Sequence, residues 1–377
     1  NLKDKKIKWE RESFGPVGRL STEGLEEVFK EFSEIIGVGE TATYLKNLFK
    51  KSYIEHSNLA DATRYLANEL FSEEGLVIID GDDSNLKTLF APYIKDELLH
   101  QNSFAEVSKT ITQLKEYTVQ VNPREINLFY IENNLRERIL FENNTYKVNN
   151  TEIHFSEAEI LELLQDSPEK FSPNVILRPL YQEVILPNLA YIGGGGEIAY
   201  WLELKSNFYA QHVTFPILML RNSFVVVTEK QIKKMEKLHL TWSELFLPQE
   251  ELIHQKTKEL SIFKIDFSEQ KETLQKQFSE LLKIAEQTDK SFIGAVKAQE
   301  AKQIKGLENL EKRLLKAEKR VHTDKLERIF DIQNQLFNNG SLQERKNNFS
   351  EFYSKKFKND VILLSNPLNI YFKIVKI

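Results

Sequence analysis

The 377-residue chain carries 51 Lys and Arg against 56 Asp and Glu, a formal net charge of -5, and 41% of it is hydrophobic. That apolar content supports a substantial core in more than one structural unit, and the acidic balance argues against a nucleic-acid surface. Cysteine is absent, which removes disulfides, thiolate nucleophiles and zinc–cysteine sites, and no apolar run reaches the ~18–20 residues of a membrane span.

The seven histidines are scattered, with no pair at metal-ligand helical spacing, so no structural metal is expected. A cytoplasmic protein without membrane or nucleic-acid partners is expected.

Residues 1–20 read as irregular. Ser21–Ile36 is amphipathic at helical spacing through Leu25, Val28, Phe29, Phe32 and Ile36, and Thr41–Phe49 and Asn58–Leu70 read as two more helices. Gly75–Asp80 is a short apolar run closed by Gly81, the pattern of a buried parallel strand. Ligands gather at the C-terminal ends of such strands, which makes Asp80, Asp82 and Asp83 either ligand contacts or caps of the next helix. Leu86–Leu99 and Phe104–Tyr117 read as helices.

From Val119 the pattern alternates apolar and polar, with breaks at Asn133-Asn134, Asn143-Asn144 and Asn149-Asn150. Asparagine tolerates the left-handed backbone of hairpin turns, so a small antiparallel insertion is expected over 119–172. Ser156–Glu159 is a capping box that opens a helix through Leu164.

The stretch Asn188–Lys205, NLAYIGGGGEIAYWLELK, holds four consecutive glycines, Gly193 to Gly196. Either this is a plain loop, or it is a tight strand-to-helix turn whose backbone N–H groups face an anion. It fits neither the dinucleotide fingerprint nor the Walker pattern. Pro216–Leu220 is another short buried-strand candidate, ending in Arg221-Asn222-Ser223. Arg178 and Arg221 stand at apolar-run boundaries that suit a carboxylate or phosphate clamp, or a structural ion pair.

Thr228–Gln231 and Thr241–Glu244 repeat the capping box. Phe267 to Phe337 lacks proline and is highly charged, with apolar residues at Phe267, Leu274, Phe278, Leu281 and Ala285, then at Leu307, Leu310, Leu314, Ala317 and Val321. Alternating threes and fours predict a coiled-coil seam, and the break Gln287–Lys290 predicts an antiparallel hairpin. Its longer arm, of about 45 residues, would reach roughly 65–70 Å. It would pair with the core or a second copy, or stand solvated. Asn338-Asn339-Gly340 ends the arm, and the apolar tail VILLSNPLNIYFKIVKI should fold back as a strand or strand pair.

Several motifs together resemble the bacillithiol-biosynthesis cysteine-adding enzymes, the cysteine ligases. They are Arg178-Pro179-Leu180, Gln182-Glu183, Pro187, the glycine turn ending at Glu197, Tyr200-Trp201 and Arg221-Asn222. Upstream they extend through Glu73–Asp83 and Asn127–Tyr130, and downstream to Ser341–Arg345, nearly the whole chain. Gly195 departs from the family, which usually has proline within the turn.

The resemblance implies an α/β fold with a Rossmann-like parallel sheet, akin to class I aminoacyl-tRNA synthetases and nucleotidyltransferases. A β-rich connective insertion and a long antiparallel α-helical coiled-coil arm would complete it. The expected organisation is a Rossmann-like core over 1–118 and 173–262, the insertion over 119–172, the arm over 263–338 and a returning segment over 339–377. The family's chains begin earlier, so this one is expected to be the C-terminal portion of a longer protein and inactive alone.

The implied activity is the last step of bacillithiol synthesis, joining cysteine to the amino group of glucosaminyl-malate. ATP would activate the carboxylate as an adenylate or acyl phosphate. Within that reading Arg178, Glu197 and Arg221 carry catalysis; Gly193, Gly194, Gly196, Asn222 and Ser223 bind substrate or nucleotide; and Tyr200 and Trp201 form an apolar wall. Cysteine, glucosaminyl-malate, ATP/ADP and a second copy held through the arm are the expected partners. The competing reading is a non-catalytic, nucleotide-binding dimeric scaffold, since no nucleophile triad or general base stands out.

Overall fold

The computed structural model describes residues 2–3, 5–132, 134–337 and 340–377. It divides into two compact units, Asn1–Ser223 with Asn347–Lys373 and Phe224–Lys346 with Ile374–Ile377. The expected turn residue Asn133 and the arm's expected end at Asn338-Asn339 lie outside the described residues.

The first unit opens with α1 (Leu25–Ile36), α2 (Glu40–Phe49) and α3 (Leu59–Phe71). Leu25 and Phe32 face inward from α1, and the Asn58 side chain caps α3 by accepting the Asp61 N–H at 2.9 Å. The segment Leu76–Asp80 corrects the sequence expectation, because it forms no strand. It has no regular structure and is largely exposed, with Val77 78% accessible. A parallel strand requires a ladder partner, and none among the described residues pairs with it.

Next come α4 (Ser84–His100) and α5 (Asn102–Gln113). Asp83 caps α4, accepting from Asn85 and Leu86, so that acid has the bland role. The insertion is a five-stranded antiparallel sheet in the order β4-β3-β2-β1-β5: β1 (Leu128–Glu132), β2 (Leu135–Glu142), β3 (Thr145–Val148), β4 (His154–Phe155) and β5 (Phe171–Pro173). Asn143 and Asn144 take φ of 51° and 63°, the left-handed pair that a two-residue hairpin turn needs. Between β4 and β5 runs α6 (Glu157–Asp166), opened by the Ser156–Glu159 capping box. Phe90, Ile94, Leu98, Tyr146, Ile160 and Phe171 form the centre of this core.

A β–α–β crossover follows α7 (Arg178–Ile185): β6 (Ala190–Gly193), α8 (Gly195–Glu203), α9 (Lys205–Ala210) and β7 (Ile217–Leu220). β6 and β7 pair in parallel, Ala190 opposite Ile217 and Gly193 opposite Leu220. The strand at 217–220 is as expected, but Ile217 and Leu220 are exposed, because the sheet has only these two strands.

The second unit holds β8 (Phe224–Val227), α10 (Glu229–Lys237), α11 (Trp242–Leu245), α12 (Gln249–Leu260), α13 (Ser268–Ala285), α14 (Lys290–Val321) and α15 (Thr323–Phe337). Both expected capping boxes form, at Thr228 and Thr241. The hairpin turns between Ala285 and Lys290, with Asp289 as the cap of α14. Its seam keeps Leu274, Phe278 and Ala285 as expected and departs at Leu281. Phe278, Ala285 and Val296 are buried with Leu274, Leu282 and Ile293 against them, while Leu281 stays 46% exposed.

The 45-residue arm is also shorter than expected. It breaks at His322 into 32 and 15 residues, so α14 spans about 48 Å at ~1.5 Å per residue. Thr323 Oγ1 donates to the Lys319 and Arg320 carbonyls, competing with the helix ladder at the break.

The chain ends with α16 (Lys355–Leu364) in the first unit and β9 (Lys373–Lys376), which pairs with β8. Of the tail expected as a strand or strand pair, Lys373–Lys376 is therefore strand and the rest helical or irregular. Gln343, from the Ser341–Arg345 motif, donates to the Val226 carbonyl and accepts its N–H, at 3.1 and 2.7 Å. That amide seals the backbone of β8 as a neighbouring strand would.

Candidate active site at the glycine turn

Gly193 ends β6, Gly194 caps α8, and Gly195 and Gly196 begin the helix. None of the four takes a positive φ, so their reason is space rather than backbone hand. A Cβ on Gly193 would stand 2.7 Å from the Tyr191 ring and 3.2 Å from Glu197 Cβ. One on Gly194 would sit 3.4 Å from Glu197 Oε2 and 3.5 Å from Arg221 Nε. At Gly195 and Gly196 nothing lies within 4 Å, so that end of the helix is open.

Glu197 has a more structural position than its sequence role suggested. Its carboxylate accepts the Gly194 N–H at 2.8 Å, the one half of a capping box that a glycine N-cap, having no side chain, allows on α8. That takes Gly194 out of the set of free backbone donors and leaves the N–H groups of Gly195 and Gly196 in the open first turn. Parallel pairing delivers Arg221, whose own N–H donates to the Gly193 carbonyl at 2.9 Å. Its side chain thereby reaches Gly194.

Arg178 arrives from the start of α7, where Pro179 presets the first turn and Asn174 accepts the Arg178 N–H at 2.8 Å. Its Nη2 donates to the Tyr200 hydroxyl at 2.5 Å. Burial pushes the Tyr191 hydroxyl above its ordinary range, Tyr200 and Glu197 add to this, and Arg178 opposes it. Arg178, Tyr191, Tyr200 and Glu197 therefore form one electrostatically linked group beside the turn that Arg221 also reaches.

Three expected site residues stand elsewhere. Trp201 is fully buried and stacks on Tyr191 with ring centroids 4.0 Å apart, so it supports the turn from below and is no ligand wall. Asn222 spends its amide on the returning segment, donating to the Asn369 carbonyl at 2.7 Å and accepting from Asn366 N–H at 2.8 Å. The Ser223 carbonyl accepts the Lys373 N–H at 2.8 Å. Both belong to a joint that fastens the chain's return.

Beside the turn lies a cavity of about 640 Å³, whose lining includes Arg178, Tyr181, Gln182, Asp82 and Lys87. Lys87 is buried and donates to Asp82 at 2.5 Å and to the Glu169 carbonyl at 2.9 Å. Arg19 pairs with the same Asp82. Burial pushes the Asp82 carboxyl up, but Arg19 and Lys87 outweigh it and hold it below the usual carboxylate range. Desolvation depresses the Lys87 ammonium; Asp82 and, more weakly, Glu169 oppose this without cancelling it, and Arg19 adds to it. Sequence reading flagged Asp82 but neither cation, because Arg19 is 63 residues away and Lys87 reads as one more polar helix position. Tyr191 was missed as well: its part depends on the stack with Trp201.

Among the described residues no group of three or more His, Asp or Glu is placed to hold a metal, and no helix is long and apolar enough to cross a membrane.

Residues 1–222 match the family described as "Bacillithiol biosynthesis BshC, N-terminal Rossmann-like domain". Residues 224–377 match the companion C-terminal coiled-coil domain. The chain is 62% identical over 379 residues to a protein of Flavobacterium psychrophilum named "Putative cysteine ligase BshC", covering 100% of this chain and 71% of that relative. A Flavobacterium johnsoniae protein of the same name is 60% identical, covering 100% and 72%. A more distant one from Lysinibacillus sphaericus is 26% identical, covering 92% and 66%.

Proposed function

The chain belongs to the bacillithiol biosynthesis BshC family, with a Rossmann-like domain followed by a coiled-coil domain, and from that membership we propose that it carries part of a cysteine ligase site at the glycine turn. The reaction is amide formation between the cysteine carboxylate and the amino group of glucosaminyl-malate. ATP supplies the activation that a free carboxylate needs.

The observation that supports this reading is the convergence of Arg178, Arg221 and the open first turn of α8 around Gly193–Gly196. Two guanidinium-bearing side chains and a helix N-terminus suit an anionic reactant and stabilise negative charge as it develops. These residues fit the phosphates of ATP as well as a carboxylate. Arg178 orients through Tyr200, and Glu197 keeps the turn closed. Positioning accounts for most of the catalytic effect in such chemistry.

A second reading, nucleotide binding without catalysis, is favoured by the engagement of Glu197 in the helix cap, which removes the most obvious acid from general-base duty. In either reading two copies associate through the α13–α14 hairpin, because Leu281, Ile284 and Phe292 remain exposed along it.

The test is incubation of the chain, and of the 62% identical relative, with cysteine, glucosaminyl-malate and ATP, followed by mass spectrometry for bacillithiol. Product that falls sharply in Arg178→Gln and its counterpart in the relative supports the ligase. ATP binding without product from either protein favours the scaffold.

A further inference from the structure

Beyond the glycine turn, the cavity beside it has its own charge and its own recognition geometry. Arg136, on β2, lines it opposite the α7 residues. Its guanidinium lies over the Phe129 ring, 3.7 Å from the centroid. No acidic side chain pairs with it among the described residues. Desolvation pulls the group below its ordinary value, with no carboxylate to offset the cost.

The other charges around the cavity do not change that. Asp82 is already engaged by Arg19 and Lys87. The lining therefore holds Lys87, Arg136 and Arg178 against Asp82, three cations and one acid, in a chain whose net charge is -5. Ile79, Ile131 and Ile185 supply apolar walls that strengthen the field inside. The volume, about 640 Å³, lies within the roughly 300–1,000 Å³ range of small-molecule sites.

We propose that this cavity is a second anion-binding compartment, taking the carboxylate or phosphate group of a small molecule on the free edge of the Arg136 guanidinium. Phe129 holds the fork flat, which suits bidentate capture of an oxyanion, and the apolar walls receive an uncharged body. The site stands whether or not the glycine turn performs ligation, because its evidence is the unpaired guanidinium in the cavity and not the reaction.

The experiment is calorimetric titration of the 377-residue chain with succinate in one arm and inorganic phosphate in the other, at low salt. Wild type, Arg136→Gln and Arg221→Gln are compared. Arg136→Gln should weaken binding roughly tenfold or more, since it removes a hydrogen bond to a charged group. Arg221→Gln, which removes the turn's own anion contact, should leave that Arg136-dependent step in place, because Arg221 reaches the turn and does not line the cavity. Unaltered thermal unfolding of Arg136→Gln checks that β2 is intact.

Whichever anion shows this pattern identifies the oxyanion class. Binding that is lost in Arg221→Gln and kept in Arg136→Gln places the anion at the turn and overturns the proposal. So does the absence of binding in both arms. Bacillithiol formation is read separately, so failure here leaves the ligase reading standing and the converse also holds.

Discussion

Alanine substituted one at a time across Gly193–Gly196 should give four different answers. Gly193→Ala puts a methyl 2.7 Å from the Tyr191 ring. That ring cannot retreat cheaply, because it stacks at 4.0 Å on a fully buried Trp201. Overpacking of this kind costs about 1–3 kcal/mol. Gly194→Ala meets only ordinary contacts, at 3.4 Å and beyond, in an extended backbone that any residue adopts, and should be near neutral. Gly195→Ala and Gly196→Ala enter open space within a helix, where alanine gains about 0.5–1 kcal/mol over glycine. Those two should also weaken anion binding, because the added methyls stand beside the free N–H groups. Denaturant unfolding followed by near-ultraviolet circular dichroism of the Tyr191–Trp201 stack reads the first effect, and phosphate or ATP titration reads the second. Equal responses at all four positions, or a neutral Gly193→Ala, would refute the steric account and leave a flexible loop.

Arg221→Ala should weaken anion binding by about tenfold or more while moving the unfolding midpoint little, and a collapse in stability with unchanged binding would make it a structural residue. Replacing Leu281 and Leu314 with Glu should convert dimers to monomers in sedimentation, and a double variant that stays dimeric removes the arm as the interface. Burial, followed by Asp82, Asp83 and Asp80, pushes the Tyr181 hydroxyl up to about 12. Against an unfolded value of about 10, that contribution to stability is complete below pH 10 and is lost as pH rises through 12. Tyr181→Phe should remove one late-titrating tyrosinate from the absorbance titration and flatten the alkaline loss, while the one from Tyr44, also near 12, persists.

Local signals were legible where they close on themselves. The boxes at Ser156, Thr228 and Thr241 formed, since each partner lies three residues away and needs nothing else. Asn143-Asn144 made its hairpin for the same reason. What failed depended on distant partners. Leu76–Asp80 has strand composition but no ladder among the described residues, and Leu281 has seam spacing but the wrong face. At the site, Arg178, Glu197, Arg221 and Tyr200 were readable from the run around the turn. Trp201 and Asn222 were misplaced because sequence cannot tell an inward from an outward side chain over two adjacent helical positions, or foresee a tail returning 144 residues later. Arg136 gave no signal at all, one arginine in a strand rich in charges.

The bond from Arg178 to Tyr200 has a consequence of another kind. The same guanidinium lines the cavity, so an occupant there that draws it away loosens its hold on the tyrosine at the turn. Linkage makes the effect reciprocal: whatever factor one ligand imposes on the other's affinity is returned unchanged. One charged hydrogen bond, about 1.5–3 kcal/mol, limits that factor to between roughly ten and 150. The two compartments should therefore fill cooperatively or antagonistically, with a single side chain setting the size of the coupling, and Tyr200→Phe should reduce it toward one without touching the walls of either.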